Sequence, residues 1–207
     1  MARRGILYFA MIFLYWAVAP AGPVAAAADP QTVVTDFGNN ALAMLGDPHL
    51  TPEQRRQRFH DLLDQDFDFS QVARFVLGRY WQPATAEQRQ QFAAAFENYV
   101  VVAYSNRFDD FIGTTFKVTS ERPQSADIVI VRTDVTRRDG GPPAHVDWRV
   151  SQVGGAYKIT EVSIDGISMS LTHRQEFASV MERNGGNVAD LITQIEQRTT
   201  AGAASAK

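Results

Sequence analysis

Ser168 and Ser170 flank Met169, and His173 follows one helical turn later. A hydroxyl and an imidazole at such spacing are the residue types of an activated nucleophile and its base, and the chemistry would be acyl transfer. The local signature of that chemistry is G-x-S-x-G, with the serine on a sharp strand-to-helix turn. Gly166-Ile167-Ser168-Met169-Ser170 lacks the final glycine. A serine capping a helix explains the same residues, so these groups are expected to be caps and surface groups. Asp64, Asp66, Asp68 and Ser70 have the odd-position spacing of a calcium loop. Phe69 stands where the sharp turn needs glycine, and Phe75 where a bidentate glutamate belongs, so a solvated connection between helices is expected instead. His49, His60, His145 and His173 never fall at zinc spacing with a carboxylate or thiol. No glycine-rich phosphate loop is present. The sequence offers no catalytic residue, no metal ligand set and no cofactor site.

The elements that would position any site follow an α+β order. Asp29-Pro30 is an N-cap and first-turn pair, and Val33, Val34, Phe37, Ala41, Leu42 and Leu45 then recur at helical spacing until Gly46. Thr51-Pro52-Glu53-Gln54 and Thr85-Ala86-Glu87-Gln88 are capping boxes. The first opens a helix burying Phe59, Leu62 and Leu63. The second opens the longest helix, predicted to run to Phe111 with Phe92, Phe96, Tyr99, Ala103, Tyr104, Phe108 and Phe111 along its stripe. Between them a short helix spans Ser70 to Leu77 and stops at Gly78.

After Gly113 the period drops to two. Strands are predicted around Phe116 and Val118, over Ile128 to Val135, around Val146, Trp148 and Val150, and from Tyr157 to Ile164. A bulge near Thr160-Glu161 returns Tyr157, Ile159, Val162 and Ile164 to one face. Ile128-Val129-Ile130-Val131 is apolar on both parities, which predicts an apolar neighbour on each side. Two helices, Met169 to Arg183 and Val188 to Arg198, close the chain, with 199–207 as a frayed tail. This gives a four-stranded antiparallel meander covered by N- and C-terminal helices, in one domain over 29–198.

Arg3-Arg4, the apolar run Ile6 to Val18, and Ala25 to Ala28 have the order of a secretory signal peptide over 1–28. About 180 residues remain, enough for one domain with a sizeable core. With no cysteine, packing alone must hold that domain together. Taking Arg3 and Arg4 from a chain of net charge −3 leaves −5, a poor match for nucleic acid. Aromatic side chains crowd the stretch before the sheet and recur within it, which fits either a filled core or the wall of an apolar cavity.

Three blocks separate those readings: Ala73-Arg-Phe-Val-Leu-Gly-Arg-Tyr-Trp81 with Ala84-Thr-Ala-Glu-Gln-Arg89; Pro142-Pro143 leading into Val146-Asp-Trp-Arg149; and Asp165-Gly-Ile-Ser-Met-Ser-Leu-Thr-His-Arg-Gln-Glu-Phe177. In this order and spacing, from Val33 to Ile195, the chain resembles the MlaC family of periplasmic lipid-binding proteins, also called the toluene-tolerance auxiliary family. The first and last blocks also fit its hopanoid-associated HpnM branch. The resemblance implies a periplasmic carrier, not an enzyme, that holds the chains of a phospholipid or hopanoid-type lipid in an apolar cavity between sheet and helices. It implies partners at both membranes: an MCE-type component of an inner-membrane ABC transporter, and an outer-membrane lipoprotein complex. The lining is expected to include Phe75, Val76, Tyr80, Trp81, Tyr104, Phe108, Phe111, Val146, Trp148, Ile159, Val162, Ile167 and Met169, around a volume near or above about 300–1,000 Å³. A pocket enzyme of the NTF2 type would need a polar catalytic pair inside the same space, and an envelope interaction module would have a solid core and a large exposed apolar patch.

Overall fold

Capping chemistry fixes where the helices begin. In the computed structural model, which describes residues 29–205, Asp29 accepts from Thr32 N at 2.8 Å and opens α1 (Pro30–Gly46). The expected signal peptide, 1–28, lies outside the described residues. Both capping boxes close reciprocally: Thr51 and Gln54 start α2 (Pro52–Asp66), and Thr85 and Gln88 start α4 (Ala86–Ser105). Asp68, from the calcium-like cluster, is the N-cap of α3 (Phe69–Leu77) and accepts from Gln71 N at 2.9 Å. Asp66 is not simply solvated: burial raises its carboxyl above the ordinary value. Gly78, at φ +58°, ends α3 in a backbone conformation that suits glycine.

The long aromatic helix is broken. Arg107 N bonds Tyr104 O at 3.0 Å, tightening the last turn of α4, and a separate single turn follows as α5 (Phe108–Phe111). The break sets Phe108 and Phe111 on a separate turn from Phe92 and Phe96.

The sheet comprises β1 (Thr115–Ser125), β2 (Ile128–Thr136), β3 (Ala144–Val153), β4 (Ala156–Ile164) and β5 (Ile167–Ser168), in sequential antiparallel order. The fifth strand is a two-residue addition to the expected meander. Asp165 and Gly166, both at positive φ, make the tight turn that folds it back. The predicted bulge is present: Arg149 pairs with Glu161 and Val150 with Ile159, leaving Thr160 extra. It lets Ile159, Val162 and Ile164 all pack against the same apolar cluster. Only one face of the 128–131 run is apolar-lined. Val129 and Val131 join the sheet core, whereas Ile128 and Ile130 are half-buried and join neither core cluster.

α6 (Met169–Arg183) and α7 (Val188–Ser205) complete the chain. The expected frayed tail is helical from Thr199 to Ser205. Asn106 Nδ2 donates to Gly202 O at 3.1 Å, and a Cβ on Gly202 would lie 3.0 Å from Val102 Cγ1. Small residues here let α7 pack against α4, and alanine favours continuing the helix.

Two apolar bodies result. One is helical, with Phe92, Phe96, Phe177, Met181, Leu191 and Ile195 at its centre. The other joins α1 and α2 to the inner sheet face through Val34, Phe37, Leu63, Val131, Val150 and Ile159. Phe69 and Val100 pack against both. The 67–68 connection ties the two together, since Asp68 N donates to Ile159 O at 3.0 Å and Phe67 forms a parallel bridge to Ile159.

Candidate functional site: an apolar cavity between sheet and helices

The two bodies do not close on each other completely. Between them lies a cavity of about 260 Å³. α1 supplies Phe37, Gly38, Ala41, Leu42, Met44 and Leu45, and α2 adds Phe59 and Leu63. Phe67, Phe69, Val72, Phe96 and Val100 form the helical side, with Tyr104, Phe108, Phe111 and Thr114 beyond the break in α4. Phe116, Val135, Val146, Trp148, Glu161, Val162 and Ile164 come from the sheet, and Met169, Ser170 and His173 from α6. Phe111 is 38% exposed, marking the open side.

Trp148 is the centre of the sheet wall. Its Nε1 donates to Thr133 Oγ1 at 2.9 Å, so the indole is held without an unsatisfied polar atom. Phe37 and Phe116 meet it edge-on, with centroids 5.5 and 6.1 Å away. A Cβ on Gly38 would fall 2.5 Å from the Phe116 ring, so that glycine lets helix and sheet approach at the cavity. Phe59 and Phe108 stack edge-on at 5.3 Å on the helical side.

Of the residues expected to line a pocket, Tyr104, Phe108, Phe111, Val146, Trp148, Val162 and Met169 stand on its wall. The others do not. Phe75 is 42% exposed beneath the Arg174 guanidinium, because α3 turns that side away from the fold. Val76 is buried in the helical core instead. Tyr80 and Trp81 pack on the outside of that core, with Arg79 and Arg89 over their rings at 4.9 and 5.6 Å. Ile159 is fully buried within the sheet core, and Ile167, on the tight turn, is 61% exposed. The wall from α1 was missed, although its stripe of Phe37, Ala41, Leu42 and Leu45 was visible as helical periodicity. The volume also falls short of the expected range.

His173 corrects another expectation, because it lies in the wall and not on the surface. It sits one turn after Met169 and Ser170 on the same side of α6, with its ring against Phe96, Tyr99 and Phe177. Burial holds its imidazole below the ordinary value, opposed by Glu176, whose Oε2 is 3.8 Å from Nδ1. The unfolded chain therefore takes up a proton at about pH 6.5 that the folded chain resists, and stability is lost as pH falls from there through the folded value. Replacing His173 by phenylalanine should reduce the drop in thermal midpoint between pH 7.5 and 5.5. Equal drops in both proteins would contradict this account of the imidazole.

Ser168 is the N-cap of α6, as expected, and its Oγ accepts from Leu171 N at 3.0 Å. A second pocket, of about 500 Å³ between α2, α4 and α7, has polar side chains such as Arg56, His60, Gln91 and Asn98 in its walls. Among the described residues no cluster is suited to hold a metal ion, and no helix is long and apolar enough to cross a membrane.

The family model described as MlaC protein matches residues 36–197. The chain belongs to the MlaC family. Similarity to individual members is distant but extensive. The toluene tolerance protein ttg2D of Pseudomonas putida is 25% identical over 198 residues, covering 92% of this chain and 87% of that protein. The intermembrane phospholipid transport system binding protein MlaC of Haemophilus influenzae is 23% identical over 125 residues, 59% of this chain and 58% of that one. Among solved structures, a phospholipid-binding protein from Ralstonia solanacearum, in complex with a phospholipid, matches with a TM-score of 0.74 and 28% identity, covering 85% of this chain and 99% of its own. The α+β architecture around the cavity is thus the MlaC fold.

Proposed function

We propose that the protein is an exported carrier that withdraws a phospholipid from one membrane, shields its acyl chains in the cavity between α1, α4–α6 and the sheet, and releases it at another. The observation that carries this is the cavity itself: its walls are almost wholly apolar, in a protein whose fold is shared with a neighbour solved with phospholipid bound. Each buried methylene is worth about 0.8 kcal/mol, so a two-chain lipid leaves a bilayer slowly unless an equally apolar site receives it. At about 260 Å³ the empty site is smaller than the usual ligand range of roughly 300–1,000 Å³. Flexible side chains on its wall, Met44, Leu42 and Met169, are suited to move aside as chains enter.

The order of charged, apolar and small residues over 1–28 supports export, with the mature chain beginning between Ala26 and Asp29. In this reading the donor and acceptor are an MCE-type transporter component at the inner membrane and a lipoprotein complex at the outer membrane. The carrier has no bond to make or break. Labelled phospholipid should pass between two vesicle populations faster when the mature protein is added, in proportion to its concentration. Transfer no faster than the spontaneous rate, using protein shown to be folded, would remove the carrier function.

A further inference from the structure

The cavity wall carries one formal negative charge, and its hydrogen bonds are unusually complete. Glu161 stands at the bulge of β4. Its Oε1 accepts from the backbone N–H of Val162 at 2.8 Å and of Ser170 at 3.2 Å. Its Oε2 accepts from Ser168 Oγ at 2.7 Å and from Ser170 Oγ. The carboxylate is thereby fixed against the start of α6. Ser170 is 5% exposed and faces the cavity. Its only hydroxyl proton is committed to Glu161, so toward a ligand it offers lone pairs alone. Thr114, also on the wall, has likewise committed its proton, to Phe111 O at 3.0 Å.

The Tyr104 phenol and the His173 imidazole line the same cavity. No protein hydrogen bond to the Tyr104 hydroxyl is present among the described residues. The wall therefore presents an anion with a hydroxyl acceptor beside it, among apolar side chains. A hydroxyl group suits it, since it donates to a lone pair of Ser170 Oγ. A free carboxylate does not, because it would face Glu161 with little water between them and must shed its own charge to stay.

We propose that Glu161 and Ser170 form a subsite selecting uncharged, hydroxyl-bearing lipid groups and turning away fatty-acid carboxylates. The proposal rests on the carrier reading and adds a chemical class of ligand to it.

Oleyl alcohol and oleate, equal in chain length, test it as competitors for a fluorescent phospholipid bound to the delipidated mature protein at pH 7.5. Oleyl alcohol should displace the probe at a concentration lower by about tenfold or more, a difference of about 1.4 kcal/mol. Glu161→Gln keeps an acceptor oxygen and removes the charge, and should tighten oleate until the two competitors nearly match. Ser170→Ala keeps the charge and removes the acceptor, and should weaken oleyl alcohol about threefold to tenfold while leaving oleate as it was. If Glu161→Gln does not fold, the Ser170→Ala result decides. Oleate displacing the probe as well as the alcohol, or a gap that neither substitution moves, overturns the subsite while leaving the carrier intact. Failure of the folded protein to bind the phospholipid probe at all overturns both.

Discussion

A Trp148→Arg protein is expected to lose its lipid and to be less stable by about 3–5 kcal/mol, the cost of removing a large buried aromatic ring. Trp148 is 8% exposed, is packed edge-on by Phe37 and Phe116, and fills the middle of the sheet wall. Arginine there leaves Thr133 Oγ1 without its donor and places an unpaired charge where acyl chains would lie. Either the charge draws water into the cavity or the wall opens to release it. Both outcomes remove the apolar site. Trp148→Phe, which keeps the ring but not the hydrogen bond, should lose stability and still hold lipid. Extraction of each folded variant followed by phospholipid analysis checks the pair. Wild-type lipid content in Trp148→Arg would show that this face is not the binding wall.

Filling the cavity should separate binding from stability. Ala41 is half-buried on α1 and lines the cavity. Ala41→Trp projects an indole into a space of about 260 Å³ without deleting any contact. Bound phospholipid should fall to a small fraction of the wild-type amount, with the thermal midpoint unchanged or raised, because added apolar burial in a void stabilises. If the ring does not fit, overpacking lowers stability by about 1–3 kcal/mol and the midpoint reports it. Full lipid content in a stable Ala41→Trp protein would place the lipid elsewhere.

Local chemistry was legible from the residues, and tertiary choice much less so. Asp29, Thr51, Thr85 and Ser168 could be identified as caps because a cap depends on two or three neighbouring residues. The bulge at Thr160 followed from a parity conflict along one strand. Periodicity says that a face is buried but not against what. Val76 and Phe92 went to the helical body, while Phe37 and Leu45 went to the cavity, and nothing in their spacing distinguishes the two fates. Phe75 carries the same lesson, since an apolar ring in an aromatic-rich block was assigned inward and lies outside under Arg174. The break at Asn106-Arg107 had no proline or glycine to announce it, yet it places Phe108 and Phe111 on the wall. Glu161 was missed as a cavity residue because it stands at the bulge, where alternation assigns no face, and the Ser168 and Ser170 hydroxyls that hold its carboxylate come from beyond the next turn.

Carriage of a phospholipid is tested most directly by what the protein brings with it. The mature chain, purified from a bacterial periplasm without detergent, should release phospholipid on organic extraction, at a molar ratio approaching one per chain by quantitative mass spectrometry. The Ala41→Trp protein purified in parallel should release almost none. A folded wild-type protein that yields no phospholipid, and takes up none from vesicles after purification, would contradict the account.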